Sequence, residues 1–389
     1  MSQLSKTNLF KPIKVGLIEL KNRVALAPMT RFRADSVNFT ANDTMKKHFG
    51  DRAKNNGGLL ISDAISVSWS GIGYPNGIMV QTKEQAEALK PTVDAVHEAG
   101  SFFSAQLFHV GRNAVPATMK ARGLRLIGPS ADTFADADAE KAAKESDMKL
   151  EEMTLDDIEQ LKKDFVTSAK NAIEISGADF VEIHGASNYT LAQFADISAN
   201  KRTDEYGGSI ENRSRLMLEV VDALVEAVGA EKVGIKFSPY MTFGGGSGVD
   251  GEIHCIAQYA YLYSELERRA KEGKRLAYVS NYEARLAGFT KDGDFGLSTE
   301  YSFEWASQIW KGVLVRAGGY LHIPEYKSLI ADVNADDRTI IAFGRYFTSN
   351  PDLPSRLRNG YPLTPYDRSK FYSPGEEGYN TFPTYSESK

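Results

Sequence analysis

Eight short apolar runs recur along this chain, and helical patterns separate most of them. The runs are Arg23–Ala27, Leu59–Asp63, Phe102–Leu107, Phe180–His184, Val233–Phe237, Leu276–Ser280, Val313–Arg316 and Thr339–Phe343. They are continuous rather than alternating, as strands buried on both faces read. Eight such strands with intervening helices predict an α/β fold, a closed (β/α)8 TIM barrel, over an open doubly wound sheet. Several helix starts are legible. Thr82-Lys83-Glu84-Gln85 is a capping box that opens a helix towards His97, closed at Gly100, with Pro91 implying a kink or two shorter segments. Thr154 with Asp156 and Asp157 opens a second. Ser209 or Asn212 caps a third that ends at Gly229, and Ile253–Lys271 reads as a fourth.

The length, 389 residues, allows two or three average domains, but no proline-rich or low-complexity linker divides the chain. Residues 1–389 are therefore expected to form a single barrel domain, with 131–150 as a surface insertion after the third strand. A net charge of −5, with Lys and Arg scattered, gives no electrostatic case for nucleic acid or an anionic membrane. No apolar run approaches membrane-spanning length, and Met1–Leu9 lacks a signal-peptide core. The C-terminal Ser386-Glu387-Ser388-Lys389 stops short of a peroxisomal tripeptide. The one cysteine, Cys255, fits a reducing compartment and a buried structural thiol. The expectation is a soluble cytoplasmic protein, monomer or homodimer.

Barrel active sites are built from the C-terminal strand ends, so the residues at the close of each run matter most. The fourth delivers Val181-Glu182-Ile183-His184-Gly185-Ala186-Ser187-Asn188-Tyr189, in which a strand-end His can donate a hydrogen bond and a loop Tyr can deliver a proton. The seventh and eighth end in Gly318-Gly319 and Gly344-Arg345. Glycines let backbone amides approach an anion, and Arg adds a forked donor, so this pairing predicts a phosphorylated ligand. Other features read more plainly. Gly71–Gly77 has the wrong glycine spacing for a dinucleotide loop, and Gly244–Gly248 reads as a flexible loop. Arg202 with Asp204 is expected to tie down the catalytic loop, and Asp204 with Glu205 has no sugar-binding context. His48, His97, His109, His254 and His322 read as packed or ordinary residues, and no metal site is expected. Lys236 at the fifth strand end also suits a Schiff-base lyase, a weaker alternative.

Ordered motifs then carry a resemblance to the Old Yellow Enzyme family in its fungal form. They are Asn8–Pro12, Asn22–Arg31, Gln106–Arg112, Val181–Ala186, Arg202–Ser209 and Phe343–Arg345, with the likeness extending to Tyr372. The resemblance implies an FMN-dependent ene-reductase that takes hydride from NADPH or NADH and reduces the C=C bond of an enone or enal. It implies cofactor contacts at Pro28, Met29, Thr30, Ala64, Gln106, His184 and Lys236, and a phosphate cradle of Gly318, Gly319, Gly344 and Arg345. His184 would bind the substrate carbonyl and Tyr189 would be the proton donor, with Thr30, Tyr74, Phe108 and Tyr372 lining the substrate face. The chain departs from the family's pattern at several positions. Ser187 stands where a second carbonyl donor is usually Asn or His, and Asn188 comes next, where Gly is common. Lys236 replaces an Arg, Ala64 a Gly, and Phe108 a Trp, and Glu283-Ala284-Arg285 replaces Glu-Pro-Arg. Ser187 keeps open an alternative: an FMN-containing protein that binds ligands or serves a narrow substrate range.

Overall fold

A computed structural model describes residues 1–54, 56–283 and 301–387. Eight parallel strands close on themselves: β1 (Val24–Leu26), β2 (Leu59–Ser66), β3 (Phe102–Phe108), β4 (Phe180–Gly185), β5 (Val233–Phe237), β6 (Tyr278–Tyr282), β7 (Leu314–Ala317) and β8 (Thr339–Phe343). Closure is made by β1, which pairs with β8 at Ile341↔Val24 and with β2 at Ala25↔Leu59. The expected barrel is present. Ala284 and Arg285, Ser388 and Lys389 lie outside the described residues.

Helices cover the outside where the sequence placed them. One helix not announced by the sequence, α1 (Asp43–Ala53), is capped by Asn42. α2 (Lys83–Glu98) and α3 (Leu155–Lys170) both open on complete capping boxes, Thr82 with Gln85 and Thr154 with Asp157. α2 is one helix rather than two: Pro91 and Glu87, whose carbonyl loses its donor, both stand on the exposed face and can meet water. Ser209, not Asn212, caps α4 (Ile210–Val228), which ends at Gly229 with φ +93°. α5 (Cys255–Lys271) holds Cys255, free and buried. Segment 131–150 carries a helix, Ala137–Glu145, and leads into Leu150–Glu152, which pairs with Leu126–Gly128. Ala143 and Leu150 pack in one apolar cluster with Ala64 and Phe108, so the insertion backs a wall of the barrel mouth. Among the described residues, no helix is long and apolar enough to cross a membrane.

Inside the barrel the alternation of side chains makes two layers. The lower one is apolar: a hairpin, Ile13–Val15 with Ile18–Leu20, brings Ile13, Val15 and Leu20 against Ala25, Leu59, Phe180, Val315 and Ile340. Higher up lie Ser104, Gln106, Glu182, Lys236 and Ser280, all essentially without solvent exposure. A buried polar layer is costly unless satisfied, so its position just below the strand ends marks where the barrel is built for something other than stability. A bulge in β2 contributes: Ile61 pairs with Ser104 and Ala64 with Gln106, so Ser62 and Asp63 together face Ala105. The Ser62 hydroxyl accepts the freed Gln106 N–H at 2.9 Å.

Candidate active site

The C-terminal strand ends surround a cleft of about 1400 Å³ that reaches Thr30, Ala64, Gln106, His184, Ser187 and Tyr189. A second recess of about 820 Å³ shares Pro28, Met29, Tyr282 and Arg345 with the cleft and extends to Gly318, Gly319 and Gly344. The two therefore form one elongated depression, running from the β4 loop to the ends of β7 and β8.

At the β4 end, geometry fixes the chemistry of each side chain. The Ala186 N–H donates to His184 Nδ1 at 3.3 Å. A neutral ring that accepts at Nδ1 carries its proton on Nε2, which makes Nε2 the donor. Burial, with Lys236 repelling a second charge, lowers the His184 pKa to about 3, so the ring stays neutral. Ser187 and Asn188 come next with φ of +55° and +52°, a left-handed pair without a glycine. Their turn is held from several sides. Ser187 N–H donates to Ser238 Oγ at 2.7 Å, and the Asn188 carbonyl accepts from Asn113 Nδ2 at 2.8 Å and Gln193 Nε2 at 2.7 Å. Asn188 Nδ2 donates to the Gly244 carbonyl at 2.5 Å. The turn thus separates two candidates that sequence left together: Ser187 lines the cleft, and the Asn188 amide is directed into the loop beside it.

Tyr189 then stands edge-on to His184, ring centroids 5.1 Å apart, and to Phe108 at 5.4 Å. Burial, then the neighbouring Tyr74, to which its hydroxyl is hydrogen-bonded, hold its pKa well above the ordinary value, so it is a neutral acid. Phe108, expected on the substrate face, stands edge-on to Tyr189 and beside His184, in the same apolar cluster as Ala143 and Leu150. The adjoining loops are anchored by arginines. Arg202 pairs with Asp204 at 2.5 Å and donates to the carbonyls of Met153 and Pro129, as expected of a loop tie.

The recess at the other end is walled by backbone. Gly318 has φ +144°, and a Cβ there would meet Glu283 Cβ at 2.8 Å; Gly319 has φ +63°, with open space where a side chain would begin. Arg316 is not part of this cradle, because its guanidinium pairs with Glu283 at 2.7 Å and Asp332 at 3.2 Å.

Residues 8–364 match the NADH:flavin oxidoreductase / NADH oxidase family. The chain belongs to this family. It is 53% identical to the Old Yellow Enzyme from Pichia sp. AKU4542, with a TM-score of 0.92 over 99% of this chain and 95% of that one. Enoate reductase 1 of Kluyveromyces lactis is 41% identical over 99% of this chain and 96% of its own. A probable NADPH dehydrogenase of Candida albicans is 42% identical over 98% and 92%.

An Old Yellow Enzyme relative of this kind is an FMN oxidoreductase reduced by NADPH or NADH, and the residues present fit that cofactor. Lys236 Nζ is fully buried, with no hydrogen-bond partner among the described residues, 4.0 Å from the Tyr282 ring, a cation placed for an acceptor that those residues do not provide. Burial lowers its pKa to about 8, and Glu182 opposes that fall. Gln106 Nε2 is held by Glu182 Oε1 at 2.6 Å, which sets the amide's orientation. Thr30 Oγ1 accepts the Ala64 N–H at 3.1 Å and keeps its own hydrogen to donate. The glycine recess suits the phosphate.

Several wall residues escaped sequence reasoning. Tyr282 was missed because β6 runs two residues beyond the apolar stretch that announced it. Phe32, with φ +54°, stands 5.5 Å from Tyr74 and 5.6 Å from Tyr372, completing an aromatic row along the cleft. Phe243 enters from the glycine loop. His322, read as ordinary, lies in the wall of the recess and bonds the Tyr366 hydroxyl at 3.1 Å. Arg31 had a signal, a charged residue directly after Thr30. Its guanidinium takes the carbonyls of Phe371 and Gly378 at 2.8 and 3.0 Å, so it seats the C-terminal segment that brings Phe371 and Tyr372 over the cleft.

Proposed function

We propose that this enzyme reduces the C=C bond of α,β-unsaturated carbonyl compounds, with Tyr189 as the proton donor. One observation carries the reading: His184, Ser187 and Tyr189 line one face of the cleft, with His184 locked as a neutral Nε2–H donor. When bound, FMN supplies a carrier that takes hydride from NADPH or NADH and passes it to the activated double bond. Thr30, Gln106 and Lys236 would hold its ring beside Pro28, Met29 and Ala64, and Gly318, Gly319, Gly344 and Arg345 its phosphate. The His184 Nε2–H and the Ser187 hydroxyl would meet the substrate carbonyl oxygen. Fixed donors there stabilise the negative charge that develops on that oxygen as the β carbon is attacked. Tyr189, a neutral acid at working pH, would pass its hydroxyl proton to the α carbon. Phe32, Tyr74, Phe243 and Tyr372 would flank the substrate and limit water. The name of the Kluyveromyces relative supports C=C reduction. We take the enzyme to be cytoplasmic on its single cysteine, with the barrel as one functional unit.

The test is spectroscopic. Purified holoenzyme should be yellow, bleach with NADPH in the absence of oxygen, and recover its colour on addition of cyclohexenone as cyclohexanone forms. A colourless protein sinks the reading. Bleaching without recovery favours the second one, a flavoprotein of narrow substrate range or ligand binding, for which the short reach of Ser187 is the specific argument.

A further inference from the structure

We propose that Tyr74 is a positioning residue for proton delivery, and that its hydroxyl reverses its hydrogen bond to hold Tyr189 after the proton has left. The inference rests on Tyr189 as the proton donor. The Tyr74 and Tyr189 side chains line the cleft together and their hydroxyls interact, and the Tyr74 hydroxyl donates to the Asn113 carbonyl at 3.1 Å. With the Tyr74 hydrogen placed on Asn113, the shared bond has Tyr189 as donor and Tyr74 oxygen as acceptor. The Asn113 carbonyl cannot drift away. Its residue closes the short turn Gly111–Asn113 and is tied by Nδ2 to the Asn188 carbonyl at 2.8 Å, on the same turn that presents Tyr189.

The surroundings of the Tyr189 oxygen make a second donor necessary. Its ring packs against the edges of Phe108 and His184, and His184 is neutral, so neither neighbour offers it a cation. A phenolate left in that environment is poorly solvated. When Tyr189 acts, its O–H bond breaks, the proton forms the new α C–H bond, and the O–H electron pair remains on the Tyr189 oxygen. Tyr74 can then rotate its hydrogen from the Asn113 carbonyl to that oxygen without moving its ring, which Phe32 supports at 5.5 Å. A proton from solvent water later restores Tyr189, and the hydroxyl of Tyr74 returns to Asn113.

Tyr74→Phe removes only the hydroxyl, and the holoenzyme can be assayed with two oxidants. Cyclohexenone needs a proton on carbon, whereas menadione is reduced at oxygen and takes its protons from water. The ratio of cyclohexenone to menadione turnover should fall about 10- to 100-fold in Tyr74→Phe, the worth of one hydrogen bond to a charged group. The KM for cyclohexenone should change far less than kcat, and the solvent deuterium isotope effect on cyclohexenone reduction should rise. Tyr189→Phe is the reference and should lower the same ratio further. If Tyr189→Phe lowers the ratio and Tyr74→Phe does not, the role of Tyr74 is overturned and that of Tyr189 stands. If Tyr189→Phe leaves the ratio unchanged, the proton-donor reading itself fails, and this inference with it.

Discussion

At the β7–β8 end of the cleft the wall is made by Gly318, Gly319 and Gly344, positions defined by the side chains they lack. At the β4 end it is made by His184, Ser187 and Tyr189, whose turn is held by hydrogen bonds that Ala186 N–H donates to His184, Ser187 N–H donates to Ser238 and Asn113 donates to the Asn188 carbonyl. The first construction needs only a backbone path and can accept a phosphate from many ligands. The second commits to one reaction geometry, and small changes in the turn alter which side chain enters the cleft. Cofactor retention and substrate chemistry should accordingly fail separately when the two ends are damaged.

The largest effect is expected from His184→Ala, which removes the proposed carbonyl donor. Cyclohexenone turnover should fall about 100- to 1000-fold, and bound FMN, measured by absorbance per protein, should fall much less. Loss of FMN as complete as the loss of turnover would break the separation. Gly318→Val attacks the other end, since it places a side chain at φ +144° and against Glu283. FMN affinity, measured by fluorescence quenching, should weaken about 10- to 100-fold from strain and overpacking combined. Unchanged affinity would mean the recess is not the phosphate cradle. Ser187→Asn is a gain-of-function test. Asn tolerates the left-handed backbone better than Ser and reaches further, so KM for cyclohexenone should fall roughly threefold or more, the scale of about 0.6 kcal/mol and upward. No change in KM or turnover would count against Ser187 as a carbonyl contact; Ser187→His gives a bulkier version of the same comparison.

The smallest effect concerns pH. The folded pKa of His184, about 3, lies below that of the unfolded chain, so between that value and about 6.5 only the unfolded state takes up the proton. The stability it contributes is complete above that window and is lost as pH falls through it. Across pH 5 to 8 the folded ring does not titrate, and KM for cyclohexenone should show no histidine inflection there. An inflection near about 6.5, apart from that of Lys236 at about 8, would show that the proposed carbonyl donor carries charge.

The fold was legible because eight buried runs and their caps each state their own local structure. The site's layout was legible where a strand-end position alone places a residue, as with His184, Tyr189 and the glycines, all of which line the depression. It was not legible where orientation decides. The Leu276–Ser280 run began too early because Ala277, though apolar, lies just before the ladder, with its N–H on the carbonyls of Ala230 and Val233, and Tyr282 was lost with it. Phe108 packs in an apolar cluster that residues of 131–150 join, and no periodicity links that segment to β3. Nor does sequence spacing tell which of Ser187 and Asn188 enters the cleft: consecutive left-handed residues rotate the side chains in a way only the closed turn reveals.

The central claim is that the β4 turn delivers the proton that completes carbon–carbon double-bond reduction. Single-turnover mixing tests it most directly: NADPH-reduced holoenzyme meets cyclohexenone without oxygen, and the return of flavin absorbance is timed in wild type and in Tyr189→Phe. The account predicts that recovery slows about 100- to 10,000-fold in the variant, the range for loss of a positioned general acid, with far less change in the preceding bleaching step. Recovery at the wild-type rate would contradict it.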